Sequence, residues 1–294
     1  MTHSSEQIAL MRKAFRRLHE SGCFLIPNPW DVGSARYLRG LGFKALATTS
    51  SGAAWSSGCA DGQSSRDEVL AHLRMIVAAT DLPVNADFES GYAADAEGVH
   101  ESVRMAVATG VAGLSIEDST GDLVDPMRDI ASAADRIRAA RAAIDASGGD
   151  ALLIGRAENF IVGRPDLDDT IARLKAYSQA GADCLYAPGI RTREQITAVV
   201  AAVAPKPFNL LIGSASEFTM QDLAAMGVRR VSVGGALART AWGGFMRAAR
   251  TLEADGRFDG FVDAASGAEL NGFFRSNPTD AFHDFNASHL ESPK

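Results

Sequence analysis

The 294-residue sequence has few cysteines and no long apolar run. Its three cysteines, Cys23, Cys59 and Cys184, are odd in number and lack metal-ligand spacing, so we expect neither a disulfide framework nor a zinc cluster. No stretch approaches the roughly 20 apolar residues of a membrane-spanning helix. The N-terminus is polar and lacks the form of a signal peptide. Together these features predict a reducing, cytoplasmic setting.

The chain also has a deficit of positive charge. Its formal net charge of -7 and isoelectric point near 5.4 argue against a nucleic acid or an anionic membrane as partner. Hydrophobic residues make up 46% and charged residues 22% of the sequence, as in an ordinary globular protein. Such a length suits two small domains or one α/β barrel.

A short apolar segment followed by an amphipathic segment recurs along most of the chain. After a helix predicted at 7–20, the predicted strands are 23–27, 45–49, 84–88, 113–116, 151–154, 184–186, 208–212 and 230–233. The helices predicted behind them are 32–41, 66–79, 97–108, 131–146, 169–180, 193–203, 220–226 and 236–254. Eight such units predict parallel strands closed into a (β/α)8 TIM-type barrel of the α/β class.

The pattern fades beyond Gly256. We therefore expect residues 1–255 to form a barrel catalytic domain with an N-terminal helix, and residues 256–294 to form a C-terminal helical extension. A short helix is predicted at 268–274. The polar tail from residue 276 is expected to be mobile, or ordered only against a neighbouring subunit.

The most informative stretch is the predicted third strand, which ends in two acids, Asp87 and Glu89. Alternate side chains of a strand point the same way, so these carboxylates are predicted to share one face. Two carboxylates at such a short distance repel each other unless a cation or a proton lies between them. An N-cap acid beside a surface acid is the alternative interpretation of this stretch alone.

Other polar residues follow the remaining strands, whose carboxyl ends meet at one mouth in a barrel. Glu117 follows strand four, Arg156 follows strand five, and Asn209 stands early in strand seven. The other residues predicted at this mouth are Asn28, Trp30, Asp31, Thr49, Ser50, Ser51, Gly52, Asp118 and Glu158. An acidic mouth with one central arginine suits a hard divalent cation and an anionic substrate, whose carboxylate Arg156 can hold bidentately. Backbone N–H groups around Ser51 and Gly52 are a second candidate anion site.

Together these segments resemble the isocitrate lyase and phosphoenolpyruvate mutase superfamily over about 24–254. The resemblance rests on Thr49-Ser50-Ser51-Gly52 with Asp61-Gly62, on Asn85-Ala86-Asp87-Phe88-Glu89-Ser90-Gly91-Tyr92, on Ile116-Glu117-Asp118, on Gly155-Arg156-Ala157-Glu158 and, more loosely, on Asn209. It implies a barrel whose last helix is often exchanged between subunits, usually in a homotetramer. A dimer is the other expected assembly.

The resemblance also implies a cofactor and a substrate class. It implies Mg²⁺, with Mn²⁺ as the alternative, held by Asp87, while Glu89 and Glu117 grip its waters. The implied substrate is a small α-keto or 2-hydroxy acid. We expect the catalytic residues to be Asp61, Glu117 and Arg156. We expect the substrate-binding residues to be Trp30, Ser50, Ser51, Gly52, Arg156 and Asn209.

Several departures from the superfamily pattern narrow the choice of reaction. The isocitrate and methylisocitrate lyases carry an acid Cys in the loop after strand four, but here the loop 118–127 has no Cys, His or Lys. Glu89 stands where the superfamily more often has Asp, and the segment 187–189 lacks the Glu of the lyases. The loop after Glu117 also lacks the Asn and Lys expected of a phosphonopyruvate mutase.

These features predict Mg²⁺-dependent cleavage of a C–C or P–C bond next to a keto group, by lysis, decarboxylation or hydrolysis through an enolate-like intermediate. The alternatives are a non-catalytic keto-acid-binding protein and a phosphonopyruvate mutase or hydrolase. Individual residues also have structural alternatives: Arg156 as a partner of Glu117 alone, Asn209 as a tie between loops, Asp61 and Ser50 as loop caps, and Trp30 as packing.

Overall fold

The computed structural model describes residues 3–277, in which parallel strands alternate with helices. The strands are β1 (Phe24–Ile26), β2 (Leu46–Ala47), β3 (Val84–Asp87), β4 (Gly113–Glu117), β5 (Leu152–Arg156), β6 (Cys184–Tyr186), β7 (Phe208–Leu211) and β8 (Arg230–Ser232). The helices are α1 (Ser5–Leu18), α2 (Val32–Gly40), α3 (Ser50–Ser56), α4 (Arg66–Ala78), α5 (Ala96–Val107), α6 (Ile130–Ala146), α7 (Leu167–Gln179), α8 (Arg193–Val203), α9 (Met220–Ala225), α10 (Ala236–Asp255) and α11 (Gly267–Ser276).

The strands form one sheet in the order β1-β8-β7-β6-β5-β4-β3-β2, and every neighbouring pair is parallel. At the remaining seam the N–H of Ala47 donates to the Pro27 carbonyl at 3.1 Å, which brings β2 against the end of β1. The result is a nearly closed barrel. The predicted (β/α)8 fold is confirmed.

Helix α1 covers the amino-terminal end of the barrel. Phe15 is fully buried in the barrel interior together with Ile26 and Cys184. Gly113, at the start of β4, leaves room for this ring, because a Cβ added there would lie 2.9 Å from Phe15 Cε1. Arg12 anchors the same helix by donating to the carbonyls of Val107 and Val111. This end of the barrel is therefore closed, and the opposite mouth is left for a ligand.

Most predicted elements lie within two or three residues of the observed ones, and the extension helix expected at 268–274 is α11. Helix α3 is not among the predicted elements, because segments rich in Ser and Gly are typical of turns. Thr49 begins this helix as its N-cap, accepting the N–H of Gly52. The tail predicted from residue 276 lies almost entirely outside the described residues.

Two further predictions bear on the setting of the protein. Between residues 3 and 277 no helix combines the length and apolarity needed to span a bilayer. Cys23, Cys59 and Cys184 are free thiols, and Cys184 is buried as a core residue. The expectation of a reducing compartment stays a prediction.

Candidate active site

Arg156 lies at the centre of a cluster of carboxylates at the carboxyl ends of β3, β4 and β5. Its Nη1 is 3.0 Å from Asp87 Oδ1 and 3.3 Å from Glu117 Oε2, and its Nε donates to Glu158 Oε1 at 2.5 Å. Its guanidinium also lies over the ring of Tyr186, 5.1 Å from the centroid. The alternative in which Arg156 pairs with Glu117 alone is therefore wrong.

Glu89 lies near this cluster because of its backbone conformation, and not because of the strand alternation on which the prediction was based. β3 ends at Asp87, and Glu89 has a left-handed backbone with φ of 44°. The backbone of Tyr92 is also left-handed, with φ of 51°. The Tyr92 hydroxyl donates to Glu89 Oε1 at 2.6 Å. Arg136 on α6 holds this loop by donating to the carbonyls of Ser90, Ala93 and Ala94. A fixed turn, rather than a shared strand face, brings Glu89 near Asp87.

The start of α3 contacts the same cluster. The N–H of Ser50 donates to Asp87 Oδ2 at 3.1 Å, whereas the N–H of Gly52 is directed to the Thr49 side chain at 3.4 Å. The predicted anion cradle at Ser51 and Gly52 is thus the N-terminal turn of a helix, and the carboxylate that this turn contacts is Asp87.

A cavity of about 160 Å³ opens beside Asp87 and Arg156. Among the predicted site residues, its lining includes Ser50, Ser51, Asp61, Asp87, Arg156 and Asn209. Glu89 and Glu117 are outside the lining; Glu117 contacts the lining residue Arg156 at 3.3 Å, and Glu89 is hydrogen-bonded to Tyr92. Trp30 and Gly52 pack against each other outside the lining, since a Cβ on Gly52 would lie 2.9 Å from Trp30 Cβ. The structure brings together most of the predicted site, but Trp30 and Gly52 lie outside the cavity, and Asp31 serves as the N-cap of α2.

The lining also contains residues that the sequence reading did not single out, above all Arg230 on β8. Arg230 is 3% exposed, and its Nε donates to Asn209 Oδ1 at 2.8 Å. Asn209 in turn donates to Ser232 Oγ at 3.0 Å, so it ties β7 to β8 while it lines the cavity. The available signal was strand alternation, which places Arg230 on the same inward face as Ser232.

Glu158 is held from below by a buried network. Asp118 accepts the N–H of Glu158 on one oxygen, at 2.9 Å, and both Arg173 and the Tyr177 hydroxyl on the other, at 3.1 and 2.5 Å. Asp118 is 1% exposed, so its charge is compensated entirely by protein groups. The sequence reading placed Asp118 at the mouth, and the structure shows it behind the site as a support.

The cluster carries more negative than positive charge. Burial raises the pKa of Glu89 to about 7, against the hydrogen bond from Tyr92. Burial also raises the pKa of Glu117 well above its usual range, and Arg156 offsets only part of this effect. Partial burial at the rim and the neighbouring Asp87 raise the pKa of Asp61, although this residue stays in contact with solvent.

The donor atoms available to a metal are carboxylate oxygens, which hard cations prefer. Across residues 3–277, no three His, Cys, Asp or Glu side chains are grouped closely enough to enclose one ion. Mg²⁺ retains several waters and needs only one or two direct carboxylates, unlike a structural zinc ion. The residues present therefore fit Mg²⁺ bound largely through water.

A larger cavity, of about 400 Å³, lies beside the first, between the loops that follow β6 and β7. Leu211 lines both cavities. The larger one contains none of the predicted catalytic or metal-binding residues. Because the acids and Arg156 converge on the smaller cavity, we take the smaller cavity as the candidate site.

The sequence model of the phosphoenolpyruvate phosphomutase family matches residues 15–253. The chain belongs to this family. The resemblance to the isocitrate lyase and phosphoenolpyruvate mutase superfamily is confirmed, and so is the prediction of an enzyme fold from it. The match covers all eight strands and most of α10, so the whole barrel is the family's domain.

Solved structures of this superfamily share the fold over nearly the whole chain. A protein of Burkholderia cenocepacia J2315, provisionally described as a lyase/mutase, is 46% identical with a TM-score of 0.89, covering 93% of this chain and 99% of its own. An oxaloacetate acetylhydrolase bound to its product oxalate is 28% identical with a TM-score of 0.80, covering 90% of this chain and 94% of its own.

Among curated relatives, an uncharacterized Mycobacterium tuberculosis protein is 31% identical over 75% of this chain and 81% of its own. An oxaloacetate decarboxylase of Bradyrhizobium sp. (strain BTAi1) is 36% identical, but only over 56% of each chain. A 2-methylisocitrate lyase of Escherichia coli K12 is 32% identical over 60% of this chain and 62% of its own. The two named enzymes are thus matched over less than two thirds of their length.

Proposed function

We propose that this protein is a Mg²⁺-dependent enzyme that cleaves a C–C bond of a small keto acid. The favoured reaction is loss, as CO₂, of a carboxylate attached to the carbon next to the keto group. The observation that carries the proposal is the convergence of Asp87, Glu117 and Arg156, from three different strands, on one small cavity. A relative named oxaloacetate decarboxylase supports the choice of substrate.

In this proposal Asp87 binds Mg²⁺ directly, and Glu89 and Glu117 hold its waters; Mn²⁺ is the alternative ion. When bound, the ion supplies electrostatic stabilisation of the negative charge that develops on the keto oxygen. It also balances a cluster in which Arg156 is the one cation facing Asp87, Glu117 and Glu158 among the residues described.

The chain's own residues bind the substrate and move the proton. Three carboxylates and the Tyr186 ring fix the orientation of Arg156. Its side chain therefore loses little conformational entropy when it contacts the substrate. Ser50, Ser51 and Asn209 supply polar contacts along the cavity wall. Asp61, at the rim with a raised pKa, keeps its proton to higher pH than an ordinary aspartate and is the proposed acid that protonates the product carbon.

Decarboxylation requires fewer acid and base groups in the site than lysis of a 2-hydroxy acid does. Lysis needs a base that removes the hydroxyl proton and an acid that protonates the leaving enolate, whereas CO₂ departs without any proton transfer. The loop 118–127 contains no Cys, His or Lys, so it lacks the acid that the isocitrate and methylisocitrate lyases carry there. Only the later protonation of carbon is then required, and Asp61 or water can perform it.

We also propose that the barrel assembles as a homo-oligomer through its C-terminal part, with residues 1–255 as the catalytic domain and 256–294 as the extension. Several large apolar side chains are exposed on α10 and just beyond it: Leu237, Trp242, Phe245, Met246, Phe258, Phe261 and Val262. Exposed apolar surface of this kind marks protein interfaces. It supports exchange of the last helices between subunits.

The test is product analysis with a panel of oxaloacetate, phosphonopyruvate and alkylmalates, with MgCl₂ and after EDTA treatment. Pyruvate and CO₂ from oxaloacetate, in a reaction that EDTA stops, are the expected result. Oxalate and acetate would instead identify a hydrolase like the solved acetylhydrolase. Binding of these acids without any product would contradict an enzyme and favour a keto-acid-binding protein.

A further inference from the structure

The lining of the candidate cavity includes two guanidinium groups, one with carboxylate partners and one with neutral partners. Arg156 is contacted by three carboxylates, so its positive charge is already balanced in the free protein. Arg230 enters the same cavity from β8, on the side of the barrel formed with β7. It is 3% exposed, which places its charge almost wholly out of bulk water.

The partners of Arg230 are neutral. Its Nε donates to Asn209 Oδ1 at 2.8 Å, and its Nη1 lies 3.4 Å from Nε2 of His19, whose Nδ1 hydrogen-bonds the Phe15 carbonyl. Burial lowers the pKa of His19 to about 3, so this ring is neutral at pH 7. Within the described part of the chain, no carboxylate forms an ion pair with Arg230. A buried cation without an anionic partner is costly unless a ligand supplies one.

The rest of the cavity floor is polar but uncharged, with Asn85, Ser115 and Ser232 beside Arg230. Asn85 Oδ1 is buried and accepts no hydrogen bond from the described residues. The volume of about 160 Å³ is far above the roughly 10–15 Å³ that a single water molecule requires. A small acid fits this space if it runs from the Asp87–Arg156 side towards the floor.

We propose that Arg230 binds a second anionic group of the substrate and thereby selects four-carbon keto or 2-hydroxy diacids over the corresponding monoacids. The inference rests on the proposed function, because it takes the keto end of the acid to lie at Asp87 and Arg156. The far carboxylate then meets Arg230, where a bidentate guanidinium–carboxylate pair forms in a site shielded from water. When the substrate binds, its far carboxylate gives Arg230 the anionic partner that it lacks in the free protein.

The experiment compares two acids that differ only in the second carboxylate, malate and 2-hydroxybutyrate. Their Kd values for the full chain are measured by calorimetry with saturating MgCl₂. Wild type is expected to bind malate at least tenfold more tightly. In Arg230→Met the preference should fall to about one, mainly through weaker binding of malate, whereas Arg230→Lys should keep part of the preference.

Arg12→Met is the matched control, since Arg12 is also buried but donates only to backbone carbonyls on α5 and in the following turn. It should lower the unfolding temperature and leave the ratio of Kd values intact. A merely structural role for Arg230 would make Arg230→Met behave in the same way.

Equal binding of both acids by wild type, or a full malate preference in Arg230→Met, overturns this inference and leaves the proposed function standing. If wild type binds neither acid, the proposed function fails, and the inference fails with it. A wild-type ratio near one overturns the inference even if a variant does not fold.

Discussion

Asp87 and Arg156 are 69 positions apart in the sequence, and their side chains meet at 3.0 Å at the carboxyl end of the barrel. The contact depends on two strands that are not neighbours, because β4 lies between β3 and β5. Parallel strands of a barrel direct their carboxyl ends to one mouth, and this geometry makes so distant a pair meet. The pair is the structural core of the proposed site.

Replacing Arg156 by Lys should remove most of the activity without loss of fold. An ammonium group keeps the charge but cannot reproduce the separate contacts that Nε and Nη1 make with Glu158, Asp87 and Glu117. We expect kcat/KM to fall by about 100-fold, equivalent to about 2.7 kcal/mol. Steady-state kinetics on the best substrate of the panel measure it.

The control for this change is Arg138→Lys. Arg138 pairs with Asp135 on the exposed face of α6, far from the cavity. Exposed pairs contribute little, so its kinetics should match wild type. If Arg156→Lys also retained full kcat/KM, Arg156 would have no place in the chemistry.

Tyr177→Phe should loosen the support of Glu158. The change deletes the hydroxyl that donates to Asp118 at 2.5 Å and leaves this buried carboxylate with one hydrogen bond fewer. We expect the free energy of unfolding to fall by about 1–3 kcal/mol. Because the other Asp118 oxygen holds the N–H of Glu158, kcat should fall as well. Urea unfolding and kinetics on the same preparation measure both effects.

Tyr37→Phe is the matched comparison. Tyr37 is 41% exposed on α2, so its loss of a hydroxyl should change stability by less than about 0.5 kcal/mol. Equal effects of the two substitutions would mean that the buried network under Glu158 contributes nothing specific.

His19 should make the protein less stable in mild acid. The folded pKa of His19 is about 3, because burial and the nearby Arg230 disfavour the charged ring, while the unfolded chain titrates near 6.5. Between these values the unfolded state binds the extra proton. The stability from His19 is therefore complete above pH 6.5 and is lost as pH falls towards 3.

From pH 7.5 to 5.0 this linkage amounts to about 2 kcal/mol. It can be measured as the difference in urea unfolding free energy between the two pH values, compared with His19→Gln. The glutamine variant lacks the titrating group and should lose about 2 kcal/mol less over the same interval. An identical pH dependence in both proteins would show that His19 takes up its proton in the folded state.

The barrel was predictable because each apolar strand and its helix carry their own periodicity, and because a parallel order forces the strand ends together. Asp87, Glu117 and Arg156 could be placed for this reason. Glu89 was reached by the wrong argument, since its position depends on two left-handed residues and on the carbonyl contacts of Arg136. Tertiary contacts of this kind leave no local pattern in the sequence.

Two other features required the structure. Helix α3 was hidden because Ser50, Ser51 and Gly52 are residues of turns as often as of helix starts, and only the Thr49 cap decides between them. Arg230 stands at the first position of the predicted strand 230–233, where the sequence does not show which way its side chain points. Its inward direction and neutral partners became visible only once β7 and β8 were paired.

The most direct test of the central claim is calorimetric titration of Mg²⁺ into metal-free protein. The account predicts one ion per chain, bound at least tenfold more weakly by Asp87→Asn than by wild type. Asp168→Asn, at an exposed position on α7, should bind the ion as wild type does. Unchanged Mg²⁺ affinity in Asp87→Asn, or no saturable binding to wild type, would contradict the account.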